Sequence, residues 1–416
     1  MPFFIGVLFL IFFASTSSAQ NETANWIMPL YADNEELYHV KFSFNGNTLE
    51  EEINIRNDDS PIFYEPNLTS SSMSDREGNL LFYTISRTYT RDHRLMPGLQ
   101  ETDSLSRIYQ SLTIPVPGTQ NLFYIFSLYR RSVLRNTKLD YSVVDMRKNG
   151  GYGEVIENTN IFSGYPTPGF TIVKHSDGEH FWFFYYDKAE ALFKSRKITG
   201  SGIDENAITS SFTFEFPDWW EGRGELNYKV SPDQKKLAIL VSAEYSWAQF
   251  IYLFDFNSET GEVSNGRMLE NILNSGEVIY DAEFSPDSKL LYYSLGAGIY
   301  QVNISHTDTS DIQRTQVKPC PSSYFTRLQL AQNGKIYFFE GLVNSSMGVI
   351  HDPNREGILC HVEFEEKSWL FFFFYLSRIY IVLSPTGFFL PEYLPWRGNH
   401  FYLDRYYSGQ CRLGFR

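Results

Sequence analysis

The chain has 416 residues and a formal net charge of −14, with 49 Asp and Glu against 35 Lys and Arg; a nucleic-acid partner, which needs a basic stripe, is set aside on that ground. Aromatic residues reach 17%, with 36 Phe and 28 Tyr, against 20% charged, a balance that suits half-buried pleated sheets better than helices. The three cysteines, Cys320, Cys360 and Cys411, are too few for a disulfide-stapled fold and lack the C-x-x-C spacing of a zinc site.

In chain order, Met1 to Ala14 is nearly all apolar and Ser15 to Gln20 turns small and polar, the profile of a signal peptide. Ser17 and Ala19 supply the small side chains a signal peptidase accepts, so residues 1–19 read as the signal and the mature chain as starting at Gln20. The apolar run is shorter than the ~20 residues a membrane anchor needs. No transmembrane span is expected in the mature chain, and its place is the periplasm or the cell surface.

A single pattern then recurs: a short polar turn with Asp, Asn, Gly or Pro, followed at once by alternating apolar and aromatic residues. Six copies stand at Ser74–Tyr83, Pro117–Phe126, His175–Phe183, Val230–Ile239, Phe284–Tyr293 and Leu330–Phe338. Pro presets φ, Asp bonds its own backbone and Gly or Asn accepts a positive φ, so each copy reads as a hairpin. The segments Tyr141–Met146, Ile251–Phe256 and Gly298–Asn303 read as the next strand of the same unit, and Gly-rich turns follow the first two, at 149–153 and 260–265. Copies begin roughly 40 to 60 residues apart, the length of a four-stranded propeller blade. The reading is all-β: a β-propeller of four-stranded antiparallel blades, about seven of them, over residues 24–405, with 406–416 as a C-terminal tail. Closure is expected to join the ends, with Leu37–Phe44 completing a blade made from the last strands and Gly398–Asp404 as its partner.

Several phrases are more particular. They are Gly78–Thr84, Tyr141–Met146, Asn149–Val155, Val173–His175, Lys229–Asp233, Leu253–Phe256, Thr260–Gly261, Glu283–Asp287 and Gly348–Asn354. In this order the chain resembles the N-terminal, WD-repeat-like propeller of large adhesins that gliding, biofilm-forming Gram-negative bacteria export by type IX secretion. The likeness runs from about Met73 to Cys360. It implies an extracellular, non-catalytic propeller, followed in that family by immunoglobulin-like repeats and a C-terminal sorting domain. Twelve residues follow Asp404 here, so this chain reads as a stand-alone propeller or a truncated relative. A second departure is Trp369–Tyr375 with Ile379–Leu383, read as two buried strands split by Ser377 and Arg378 where the family has a Gly-rich turn.

For chemistry, no nucleophile elbow, phosphate-binding loop, paired-His zinc helix or calcium loop occurs, and no catalytic residue or cofactor is assigned. His175, Asp177 and His180 are the best metal candidates by type; on a tight hairpin turn their side chains are expected to diverge, and no metal is assigned. Trp219, Trp220, Tyr245 and Trp247 are the binding candidates, since loop aromatics stack on sugar rings while Asp218, Glu221 and Arg223 reach hydroxyls. Packing between blades is the other use for those rings. Cys320 and Cys360 are a possible disulfide. Two functions stay open: an interaction or adhesion module for an unknown protein or glycan, or a propeller enzyme acting on glycans, which requires His175, His180, Asp218 and Glu221 to converge on one pocket.

Overall fold

The computed structural model describes residues 24–31, 37–45, 48–55, 70–85, 87–98, 106–131, 137–164, 169–214, 224–243, 249–272, 277–296, 298–306, 314–319, 327–340 and 346–364. They form a β-propeller of seven antiparallel sheets, each built from strands consecutive in sequence. The first sheet holds β1 (Asn25–Tyr31), β2 (Leu37–Asn45) and β3 (Thr48–Ile55), and the second β4 (Ser70–Ser74), β5 (Leu80–Ile85) and β6 (Arg87–Thr90). Four strands make the third, β7 (Ser106–Pro115), β8 (Leu122–Arg131), β9 (Thr137–Asp145) and β10 (Glu154–Gly164), and the fourth, β11 (Phe170–Lys174), β12 (Phe181–Asp187), β13 (Leu192–Thr199) and β14 (Gly202–Ser211). The fifth contains β15 (Gly224–Val230), β16 (Lys236–Ala243), β17 (Gln249–Phe256) and β18 (Val263–Asn271). The sixth contains β19 (Ile279–Phe284), β20 (Leu290–Leu295), β21 (Gly298–Asn303) and β22 (Arg314–Pro319), and the seventh β23 (Arg327–Leu330), β24 (Ile336–Glu340), β25 (Ser346–Ile350) and β26 (Val362–Phe364).

The six sequence copies are the turns between the first and second strands of sheets two to seven. The sharpest two, at Ser231 and Ser285, repeat one set of bonds. Ser231 Oγ donates to Asp233 Oδ1 at 2.6 Å and accepts the Lys236 amide at 2.9 Å, while Asp233 Oδ1 accepts the Lys235 amide. Ser285, Asp287, Lys289 and Leu290 do the same. Each turn contains a residue with positive φ, Gly in four copies but Gln234 and Ser288 in these two, both at 60°. A non-glycine there is strained, and both side chains offset the strain by reaching another sheet: Gln234 Oε1 accepts the Lys174 amide at 3.0 Å, and Ser288 Oγ accepts the Asp233 amide at 3.1 Å.

The core lies between successive sheets. Phe184, Phe193, Tyr228, Phe254 and Phe256 fill the space between the fourth and fifth, and Ala238, Ile251, Phe284 and Tyr293 that between the fifth and sixth. Trp26 and Phe44 of the first sheet meet Tyr337 of the seventh at 6.0 and 5.4 Å between ring centroids, which brings the first sheet against the last. The strand pairing at the closure differs from expectation. The segment Leu37–Phe44 belongs to β2, which is paired on one side with β1 and on the other with β3. Both of its edges are taken, so no strand from the end of the chain can pair with it; residues 398–404 and 369–383 lie outside the described residues. The first sheet also enters reversed, because Asn25 at the start of β1 bonds Ser74 and Gly78 at the end of β4 and in the turn beyond it.

One position exposes how tightly the seventh sheet is packed. Gly348 is paired with Phe338, and a Cβ built there would stand 2.1 Å from the Phe338 ring. Gly348→Ala is expected to cost about 1–3 kcal/mol through overpacking, read from urea unfolding; adding Phe338→Leu should recover part of that loss.

Candidate functional site

Antiparallel strands reverse the chain at every turn, so in each sheet the first-to-second and third-to-fourth turns share one end. The second-to-third connection and the crossing to the next sheet share the other. Sheets two to seven point the same way. Along β19 and β23, Asp281 and Glu283 step in parallel with Leu328 and Leu330, and the hairpin turns of neighbouring sheets touch. Ser176 donates its amide to Ser258 O at 3.1 Å, Asp233 to Ser288 Oγ, and Asp287 to Asn354 Oδ1 at 3.0 Å. One face is thus a belt of tight turns tied to one another, and the opposite face carries the connections.

Two connections on that face, 215–223 and 244–248, are rooted side by side. Gly224 is the register partner of Ala243, and Ser242 of Gln249, so both leave the fifth sheet at one end. Their roots are anchored by buried aromatics. Phe214, 3% exposed, packs on Tyr186 and Tyr252 at 4.9 and 5.1 Å, and Phe250 is buried just after the second connection. Trp219, Trp220, Tyr245 and Trp247, with Asp218, Glu221 and Arg223, belong to these two connections and lie outside the described residues.

His175, Asp177 and His180 sit on the turn face; Asp218 and Glu221, the other two residues named for an enzyme, lie outside the described residues. The side chains on the turn do not diverge as expected. Asp177 Oδ2 lies 2.7 Å from His180 Nδ1 and 3.1 Å from His175 Nδ1, and Asp177 Oδ1 accepts the amides of Glu179 and His180 at 2.9 Å. The reason is local: an Asp at this turn position curls back over the following amides, and His180 follows it in. Partial burial works to raise the Asp177 carboxyl, but those amides and the His180 imidazole hold it well below the usual carboxylate range. His175 Nδ1 is already occupied as the acceptor of the Asp177 amide at 3.1 Å, its ring stacks on Trp182 at 5.3 Å, and burial lowers its pKa. The cluster finishes a turn.

A second group was not singled out from the sequence. His351, His361 and Glu363 flank the turn between β25 and β26, with His351 Nε2 2.8 Å from Glu363 Oε2 and the two imidazoles stacked at 4.7 Å. Only the register of the hairpin joins residues ten apart, although His351 falls in the Gly348–Asn354 phrase. Cys360, in the same turn, is buried beside Tyr292; its possible partner Cys320 lies outside the described residues.

The inner strands hold the third polar group. Lys229 Nζ of β15 donates to Glu283 Oε2 of β19 at 3.0 Å and to Leu328 O of β23 at 3.2 Å. Glu283 also accepts the Leu330 amide at 3.1 Å, and Asp281 Oδ2 the Leu328 amide at 3.2 Å. Burial raises the Glu283 carboxyl above its ordinary value, with the Lys229 ammonium working against the rise.

The sequence matches no protein-family model and no curated protein. Among solved structures it is similar to the periplasmic gluconolactonase PpgL of Pseudomonas aeruginosa, at 12% identity and a TM-score of 0.43 over 70% of this chain and 86% of that one. It is similar as well to an oligogalacturonate lyase in complex with manganese, at 12% identity and 0.44 over 77% and 84%. Hsv2 of Kluyveromyces lactis gives 7% and 0.43 over 82% and 98%. At these identities nothing of what those proteins do transfers to this chain.

The buried pair makes stability depend on pH. A carboxyl whose folded pKa is raised binds more proton in the native state than in the unfolded one, so stability falls as pH rises through the raised pKa. Lys229→Met raises it further and should steepen that fall, reaching a loss of about 3–5 kcal/mol where Glu283 must ionise alone. Glu283→Gln should flatten it. Thermal unfolding of both variants from mildly acidic to mildly alkaline buffer checks the sign; curves parallel to the wild type contradict it.

Proposed function

We propose that this chain is a non-enzymatic binding module, an exported propeller that presents its connection face to a glycan or protein ligand at the cell surface or in the periplasm. The observation that carries the reading is the rooting of 215–223 and 244–248 at one end of the fifth sheet, where Gly224 pairs with Ala243. Trp219, Trp220, Tyr245 and Trp247 belong to those two connections. Indole and phenol rings give large contact area with few torsions to freeze, and the adjacent Asp218, Glu221 and Arg223 supply hydrogen bonds that orient hydroxyl-rich ligands. A scaffold tied together on its opposite face keeps the cost of ordering low. The adhesin-type, type IX-exported propellers that the sequence resembles support this role, and with a net charge of −14 the surface favours neutral or cationic ligands over polyanions.

The test is a glycan array and a surface-protein pull-down with the folded chain, followed by affinity measurements on the hit. Trp219→Ala with Trp220→Ala, and separately Tyr245→Ala with Trp247→Ala, should each weaken binding by about tenfold or more, on the ~1–3 kcal/mol scale of a stacked ring lost from a contact, with the melting temperature unchanged. Retained affinity in both double variants overturns the site, and release of cleaved product from a bound glycan overturns the non-enzymatic reading.

A further inference from the structure

We propose that the turn between β25 and β26 binds one zinc-class divalent cation through His351, His361 and Glu363. One ligand atom from each of the three lies within 4.8 Å of the others. Two ligands held about 2.1 Å from a tetrahedral zinc stand about 3.4 Å apart, a distance that small rotamer changes reach from here.

The arrangement follows from the hairpin. Val349 is paired with Glu363 and Ile350 with Val362, and one step further the His351 amide donates to His361 O at 3.0 Å. His361 precedes β26 and Glu363 lies within it, while His351 stands across the hairpin from His361. His361 adopts φ 51°, a left-handed value uncommon outside glycine. The chain is held in that shape from several directions. Asp352 donates its amide to Cys360 O at 3.0 Å, Tyr292 Oη donates to Pro353 O at 2.9 Å, and Gln301 bonds both Arg355 O and the Gly357 amide at 2.8 Å. The ligands therefore stand on a braced turn with His361 and Glu363 exposed to solvent and His351 half-buried.

The donor set fixes the class of cation. Two imidazoles and a carboxylate are a His₂Glu set that suits zinc and its borderline neighbours with a fourth position open to water, whereas calcium and magnesium favour oxygen alone. Binding would join β25 to β26, a strand of three residues.

Titration of zinc into the full-length, tag-free, chelator-treated chain against a competing indicator tests the site. The expected result is one equivalent bound, weakened about tenfold or more by either His361→Ala or Glu363→Gln, and unaffected by His175→Ala with His180→Ala. Cobalt in place of zinc should give visible absorption of four-coordinate strength that disappears in His361→Ala. Circular dichroism confirms that the exposed His361→Ala variant is folded. Equal affinity in His361→Ala and the wild type, loss of binding in the His175/His180 double variant instead, or no zinc bound by the wild type each overturns the proposal.

Discussion

A propeller leaves one edge of each inner strand facing the axis with no strand beside it, and the N–H and C=O groups along that edge must find partners or weaken the fold. Here side chains from the adjacent sheet supply them. Gln110 of β7 grips Phe170 of β11 twice, donating to its carbonyl at 2.7 Å and accepting its amide at 3.2 Å. Gln234 accepts the Lys174 amide, Asp281 and Glu283 accept those of Leu328 and Leu330, and Ser72 donates to Asn25 O. Gln110, Gln234, Asp281 and Glu283 are buried because the ring needs them. Each would be costly alone, and each is matched to a backbone group that would otherwise be unsatisfied.

The same logic explains how the two faces divide their work. Short turns built on Ser-Pro-Asp or Asp-Gly leave side-chain oxygens and amides free to reach the neighbouring turn, as Ser288 does to Asp233 and Asn354 to Asp287. That face becomes continuous. The other end holds the connections between hairpins and between sheets, whose composition the ring does not dictate. Asp281 and Glu283 of the inner strand β19 are engaged in holding the ring.

Much of the fold was legible because it is local. Each turn copy combines residues from Asp, Asn, Pro and Gly with a left-handed position, and alternation marks the strands on either side, so six turns and the third strands at 141–145, 251–256 and 298–303 could be read directly. Closure could not, since β2 looks like any alternating strand and nothing in Leu37–Phe44 shows that both its edges are filled. Nor could the roles of Gln110, Asp281 and Glu283, which in sequence resemble ordinary surface polar residues until the neighbouring strand is beside them. The turn at His175 misled for a subtler reason: alternation governs strands, whereas Asp177 sits in a turn and folds back onto its own amides.

The central claim is that side chains stand in for strands along the inner edges of the ring. Amide hydrogen exchange resolved to single residues tests it most directly at Phe170, Lys174, Leu328 and Leu330. These amides have side-chain acceptors and no strand partner on that edge, so protection close to that of paired ladder amides such as those of β16 and β20 is the predicted result. Exchange of all four at the rate of unprotected amides, with the ladders on either side still protected, would contradict the account.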